Sequence, residues 1–302
     1  MSWITFASSF IFFVTGFITC YAFGYSFNDS LMIGLVSMFS STIIGIKLLP
    51  TTILHHQHTG ELVISILLLQ DIIAIAVMLG IRLASSHGSV WHLGMIVVSF
   101  PLLVVIAYLF QRYILTYLLS RFDKIHEYIF IFSIGWCLLL AELGHYLSLS
   151  EEIGAFIAGV SLATHRISFY IADSLKPLRD FFLVLFFFSI GASFNFGIFQ
   201  QIIAPACLLV AFIIMVKPMV FNWLLTHAGE VKSVSWEIGV RLGQLSEFSL
   251  LIIYIAKDRH MMTDLTSYMA QTAVILTFII SCYWTVMRYP TPLATTDHLR
   301  RD

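Results

Sequence analysis

Charge is scarce in this chain. Lys and Arg number 16 and Asp and Glu 17 among 302 residues, 11% charged against 59% hydrophobic, at a mean hydropathy of +0.92. A water-soluble globular domain carries about 25% charged residues, so this composition excludes one. Cysteine is equally sparse. Cys20, Cys137, Cys207 and Cys282 each fall inside a different apolar run, where a thiol acts as a small hydrophobe, and their spacing holds neither a disulfide framework nor a CxxC metal pattern. Gly/Ser-rich linkers and low-complexity tracts are missing. The connections between apolar runs are short, the longest being about 13 residues around "RISFYIADSLKP" (166–177), and after Arg288 fourteen residues remain. No inserted or fused soluble domain is expected. The first run starts without the basic leader or small-residue cleavage site of a signal peptide and reads as a spanning helix. The formal net charge of −1 says nothing about partners beyond the lipid bilayer, and nucleic acid is not expected among them.

What is abundant is long apolar sequence. A helix of about 20 residues covers about 30 Å of hydrocarbon, and ten runs approach or exceed that length: about 3–25, 31–54, 62–83, 92–118, 127–147, 152–166, 180–196, 201–225, 235–256 and 265–287. The fold class is therefore an all-α polytopic membrane protein of about ten transmembrane helices. Sorting the basic residues of connections and tails by side puts Arg121, Lys124, Arg166, Lys176, Arg179, Lys232, Arg288, Arg300 and Arg301 together and Arg82, Lys257 and Arg259 opposite. Nine against three assigns the first side, with both termini, to the cytoplasm.

Two runs carry polar and glycine clusters at membrane depth. "FSSTIIGIKLLP" (39–50) holds Ser40, Ser41, Thr42 and Gly45, and "GVRLGQLSEFSLL" (239–251) holds Gly239, Arg241, Gly243, Gln244, Ser246 and Glu247. Lipid cannot satisfy freed amides and carbonyls, so such stretches unwind only against protein or a water-filled cavity. A pair of interrupted helices at corresponding positions of two halves points to a transporter's binding site, and here each is followed by one more apolar run. The repeat is not visible residue by residue.

Away from run ends the ionisable residues are Lys47, Asp71, Glu142, Lys217, Arg241 and Glu247. Each costs about 2.5–3.5 kcal/mol at the centre of an isolated helix, so each is expected to face the bundle interior and find a partner. The plain reading of such residues is packing contact, but Asp71 stands tenth in "LVISILLLQDIIAIAVMLGI" (62–81), where Asn or Ser would bond across helices without a charge. A carboxylate adds one property, the capacity to hold either a proton or a cation, with desolvation and neighbouring charge setting the balance. Lys217, beside Pro218, is the expected partner of Asp71. Glu247 and Arg241 lie six residues apart, off a common helix face. "HHQHTGE" (55–61) reads as a solvated histidine cluster in a cytoplasmic turn. "HEYIF" (126–130) lacks the second histidine of a zinc protease helix, and "ELGH" (142–145) is one ExxH where a di-iron site needs two. No nucleophile and base, and no metal set, recur at helical spacing, so the chain is not expected to be an enzyme or to hold a cofactor.

Four blocks, "SSTIIGIKLLP" (40–50), "LLLQDIIAI" (67–75), "EIGAFIAGVSLA" (152–163) with "LKPLRDFFLVLFFFSIGASFNF" (175–196), and "LGQLSEFSLL" (242–251), resemble the Kef-type branch of the monovalent cation:proton antiporters, which shares its architecture with sodium/proton exchangers. The resemblance implies an inverted-repeat core with two crossed, broken helices, at about 3–83 and 201–287, and a scaffold at about 92–196 that forms a homodimer. It implies that Asp71, next to Gln70, binds cation and proton in turn, that Ser40, Ser41 and Thr42 offer oxygens at the first break, that Lys217 pairs with Asp71 when no ion is bound, and that Gln244 and Glu247 sit at the second break. Relatives have about twelve or thirteen helices, so the first two or three are expected to be absent here. Ser246 stands where the motif commonly has Gly, and no counterpart of the nucleotide-binding regulatory domain frequent in the branch is expected. The function implied is exchange of H⁺ for Na⁺ or K⁺ across a bacterial-type cytoplasmic membrane by alternating access. Competing expectations are a Na⁺-coupled symporter of the same fold and a non-transporting or truncated membrane subunit.

Overall fold

In lipid a backbone satisfies its polar groups within itself, which leaves helices as the solution for apolar runs of this length. The computed structural model describes residues 1–50, 58–85, 90–115, 118, 126–163, 167–194 and 196–292, and these are helices joined by brief turns. In chain order they form α1 (Ser2–Ala22), α2 (Phe27–Ser37), α3 (Thr42–Lys47), α4 (His58–Ser85), α5 (Val90–Phe110, continued by a π-helical turn at Gln111–Leu115) and α6 (His126–Tyr146). The second half holds α7 (Glu151–Ala163), α8 (Ser168–Ala192), α9 (Phe199–His227), α10 (Lys232–Arg241), α11 (Glu247–Asp258) and α12 (Asp264–Arg288). All ten apolar runs are represented, two of them as the broken pairs α2/α3 and α10/α11. Among the described residues six stretches are long and apolar enough to cross a bilayer on their own: Ser2–Ala22, Phe27–Lys47, His58–Ala84, Glu127–Tyr146, Phe199–His227 and Asp264–Arg288. The chain is an integral membrane protein.

Three expectations need correction. The connection expected around 166–177 is helical from Ser168 onward, and Pro177 lies inside α8 without ending it. A proline removes one amide donor, and α8 retains the rest of its ladder, as α9 does across Pro205 and Pro218. Lys47 and Glu142, expected to face inward, are exposed. Lys47 is the last residue of α3, where the negative end of the helix favours a cation, and Glu142 lies four residues from the end of α6, within reach of the interface. His55 and His56, the basic residues Arg121, Lys124, Arg166, Arg300 and Arg301, and the tail beyond Pro292 lie outside the described residues.

The chain divides into two compact units, one of residues 1–78 and 195–302, the other of 79–194. In the first, α1 packs on α2, α9 on α10 and α12, α1 on α9, and α11 on both α2 and α12. The element order α1, α2/α3, α4 matches α9, α10/α11, α12. Each broken helix is notched by a glycine against its neighbour: a Cβ on Gly34 would stand 2.9 Å from the Phe13 carbonyl oxygen, and one on Gly239 2.7 Å from that of Pro218. Such close approach suits membrane bundles, where packing and hydrogen bonds replace the hydrophobic drive. The centre is filled by Val63, Ile66, Leu67, Phe221, Leu225 and Leu242, all fully buried, with Phe12 edge-on to Phe221 at 5.2 Å between ring centres.

In the second unit α6 packs closely on α7, where a Cβ on Gly144 would stand 3.0 Å from the Ser150 carbonyl oxygen. Trp136 stacks on Phe110 at 4.6 Å and donates its indole N–H to Ser161 Oγ at 2.9 Å. Arg82 donates to the Leu149 carbonyl at 2.7 Å.

Candidate functional site

A helix that stops at mid-membrane leaves carbonyls at its C-terminal side and amides where the chain turns helical again, and each needs a partner. The first interruption runs from Met38 to Ser41 and the second from Leu242 to Ser246. Local caps take part of the demand. Ser41 Oγ accepts from Ile44 N at 3.1 Å, and Ser246 forms a reciprocal capping box with Ser249. Ser246 has φ −113° and ψ 157°, ordinary extended backbone. A serine therefore suits this break without glycine's freedom, and adds a cap.

The remaining groups are satisfied from other helices. Ser40 N donates to Gln70 Oε1 of α4 at 3.0 Å, and Leu245 N donates to Thr277 Oγ1 of α12 at 3.2 Å. These bonds occupy matching places in the two repeats, each made to the helix that follows the break. Two further bonds tie one interruption to the other: Ser40 Oγ donates to the Leu242 carbonyl at 2.8 Å, and Ser249 Oγ donates to that of Val36 at 2.6 Å.

Lys217 of α9 lies at the crossing, 1% exposed. Its ammonium donates to the carbonyls of Phe39 at 2.6 Å and Gln244 at 3.0 Å and to Ser40 Oγ at 3.3 Å, so its three protons are used. The Phe12 ring lies 5.1 Å away. The expected pairing of Lys217 with Asp71 is absent from this structure. The reason is one of satisfaction: the carbonyls of Phe39 and Gln244 lie in the unwound stretches after α2 and α10, where no helical amide reaches them, and the ammonium supplies a donor to both.

The carboxylates collect where α3 begins. Thr42 Oγ1 donates to Asp71 at 3.1 Å to Oδ1 and 3.4 Å to Oδ2, and the next residue, Ile43, donates its N–H to Glu247 Oε1 at 3.3 Å. Asp71 and Glu247 are close enough for their charges to act on one another. Both are partly exposed, whereas Gln70, Ser40, Ser41 and Gln244 are buried. Gln244 Oε1 accepts from Ser281 Oγ at 2.8 Å, while its buried Nε2 has no partner among the described residues. Arg241 takes other partners than Glu247. It pairs with Glu237 at 2.8 Å, donates to the Leu48 carbonyl at 2.8 Å and to that of Pro290 at 3.0 Å, and so fastens the end of α3. His58 meets Glu230 at 3.0 Å on an exposed surface. No group of three or more His, Cys, Asp or Glu side chains able to hold a metal occurs among the described residues.

The family described as "Sodium/hydrogen exchanger, transmembrane" matches residues 1–287. This chain belongs to that family. Its relatives place it in the Kef-type branch of cation:proton antiporters. It is 30% identical to the ammonium/H⁺ antiporter subunit AmhT of Alkalihalophilus pseudofirmus over 244 residues, 78% of this chain and 62% of the relative. It is 29% identical to the glutathione-regulated potassium-efflux protein KefC of Salmonella paratyphi B over 249 residues, 79% and 39%, and 24% identical to K⁺ efflux antiporter 6 of Arabidopsis thaliana over 242 residues, 78% and 40%. The chain thus spans between about two fifths and three fifths of the length of these relatives. The family is one of transporters rather than an enzyme class. In exchanger terms, both interruptions were legible beforehand, while Thr277, Ser249, Ser281 and Phe12 were not singled out. Polar residues in otherwise apolar runs, at the spacing that faces a neighbouring break, were the available signal for the first three. Asp29 was also missed. It is 4% exposed and accepts from Thr263 N at 2.8 Å and Ser26 Oγ at 2.8 Å, joining the starts of α2 and α12.

Proposed function

We propose that this exchanger moves H⁺ in one direction and a monovalent cation, Na⁺ or K⁺, in the other across the cytoplasmic membrane, by alternating access and with both termini in the cytoplasm. The observation that carries the reading is the convergence of Asp71 and Glu247 on adjacent residues at the start of α3, with Thr42 bonded to Asp71. A carboxylate in that position neutralises a dehydrated cation or holds a proton, and the two states exclude each other. That exclusion is the coupling. Each pKa unit of difference between two states of such a group corresponds to about 1.36 kcal/mol, so small changes in its surroundings tune the working pH.

Within the residues expected to bind the ion, the geometry supports a division of labour. Asp71, Thr42 and Glu247 are the direct oxygen donors. Gln70, Ser40, Ser41 and Lys217 hold the interruptions open, since their polar atoms are engaged with backbone groups. Gln244 keeps a buried Nε2 without a partner among the described residues. A homodimer is the assembly expected of the branch.

The test is proton flux in everted vesicles. In vesicles with an acidified lumen, wild type should release protons and alkalinise the lumen on addition of Na⁺ or K⁺, and Asp71→Asn should abolish the response; flux undiminished in that variant would overturn the assignment. AmhT is described as an antiporter subunit, which favours a second reading in which this chain transports only with a further protein. Flux recovered on co-expression of a soluble or membrane partner would identify that case.

A further inference from the structure

The second unit contains a groove that the exchange reaction leaves unused. It lies between α5 and α7 and encloses about 530 Å³. One end is apolar, formed by Val104, Ala107 and Ile157, and toward the other end Tyr108, Gln111, Arg112 and Ser161 bring polar groups beside Val160. This gradient follows the helix axes. Arg112 lies in the π-helical turn that ends α5, and Ser161 is two residues from the end of α7, so the polar groups gather at the C-terminal ends of both helices. From Val104 to Arg112 is eight residues, about 12 Å of rise, close to the half-thickness of about 15 Å of a hydrocarbon core.

The charge at the polar end has no carboxylate counter-ion among the described residues. Arg112 is exposed, donates to the hydroxyl of Tyr108 at 3.3 Å and lies 5.9 Å over the Tyr113 ring, and no carboxylate pairs with it among the described residues. A guanidinium presents a planar fork that fits a phosphate with two parallel hydrogen bonds. The side on which Arg112 emerges is the one that the distribution of basic residues assigns to the cytoplasm, and the cytoplasmic leaflet is rich in anionic lipid. An apolar slot of one leaflet's depth, carrying at the headgroup level a tyrosine hydroxyl and an arginine with no carboxylate partner among the described residues, matches one amphiphile in length, polarity and charge.

We propose that the groove between α5 and α7 binds an anionic phospholipid of the cytoplasmic leaflet, with its phosphate on Arg112 and Tyr108 and an acyl chain along Val104, Ala107 and Ile157. Arg112 supplies selectivity for negative headgroups and the apolar wall supplies affinity for the chain. The occupied groove belongs to the second unit alone and leaves the Asp71 site untouched.

The experiment titrates delipidated full-length protein in detergent with phosphatidylglycerol and, separately, with phosphatidylcholine, and counts retained lipid by native mass spectrometry. Wild type should retain one phosphatidylglycerol about tenfold more tightly than phosphatidylcholine, a difference of about 1.4 kcal/mol. Arg112→Gln should bring the two lipids level. Val104→Trp, which fills the slot from a position 40% exposed, should weaken both. Both positions are exposed, and unchanged thermal melting of the variants confirms that folding is intact. Equal retention of the two lipids by wild type, or retention unaltered in both variants, overturns the proposal. So does a loss of protein dimer in Val104→Trp with lipid retention unchanged, because the groove would then be a contact between copies of the chain.

Discussion

Replacing Gln70 by Leu removes the acceptor that holds the first interruption while keeping the volume of the side chain nearly constant. Gln70 is 1% exposed, its Oε1 accepts from Ser40 N at 3.0 Å, and its Nε2 approaches the Met38 carbonyl at 3.5 Å. Leucine leaves the Ser40 amide buried without a partner, at a cost of about 1–3 kcal/mol, while the long contact to Met38 adds little. A cost of 1 kcal/mol lowers the melting temperature by about 2–4 °C in a folding unit of this size, so the variant should melt about 2–12 °C below wild type. The assay is thermal unfolding of purified protein in one detergent, with Ser65→Ala on an exposed position of the same helix as the control. Because Gln70 precedes Asp71, loss of the bond also frees the chain at Ser40, two residues before the Thr42 contact to Asp71. Exchange should therefore fall together with stability. Melting of Gln70→Leu within about 1 °C of wild type would refute the reasoning that this amide depends on Gln70, since even the low end of the cost in buried surroundings exceeds it.

Asp71→Asn should abolish exchange yet melt within about 2 °C of wild type, because Lys217 rests on carbonyls and loses no counter-ion; a large destabilisation, read in the same melting assay, would show that the ammonium depends on Asp71 after all. Ser246→Ala should cost about 1 kcal/mol and Ser246→Gly only a few tenths, as befits a helix cap with ordinary backbone angles, and the difference is measurable by chemical denaturation. Gly239→Ala should cost about 1–3 kcal/mol by driving a methyl group against the Pro218 carbonyl at 2.7 Å, seen as a lower melting temperature; a neutral outcome would mean that α10 moves away from α9 easily.

Much of the fold was legible because membrane insertion leaves a strong one-dimensional trace. Lipid punishes every unpaired backbone group, so each crossing shows as a long apolar run and each interruption as a cluster of small and polar residues. The clusters at 39–50 and 239–251 accordingly marked both breaks. The span of α8 was harder to read. "RISFYIADSLKP" carries charge and a proline and looks like a connection, yet it is helix from Ser168, because a short polar stretch at the edge of a bundle finds water for its side chains while its backbone still bonds within itself.

The candidate site was legible in its membership rather than in its pairings. That Asp71, Lys217 and Glu247 matter follows from the cost of a charge at membrane depth, a property of each residue taken singly. Which charge meets which group is a property of direction. Lys217 was expected to seek the carboxylate of Asp71, and it lies instead on the carbonyls of Phe39 and Gln244. Backbone dipoles do not appear in an amino-acid sequence, because every residue carries the same carbonyl and amide. Only when two unwound stretches cross do their free carbonyls come close enough together to hold one ammonium. The sequence by itself thus determined that this chain crosses the membrane with two broken helices and a few buried charges. The tertiary structure decided that the ammonium bridges the two unwound stretches while the carboxylates gather at the start of α3, because free backbone groups acquire a place and a direction only once the helices have crossed.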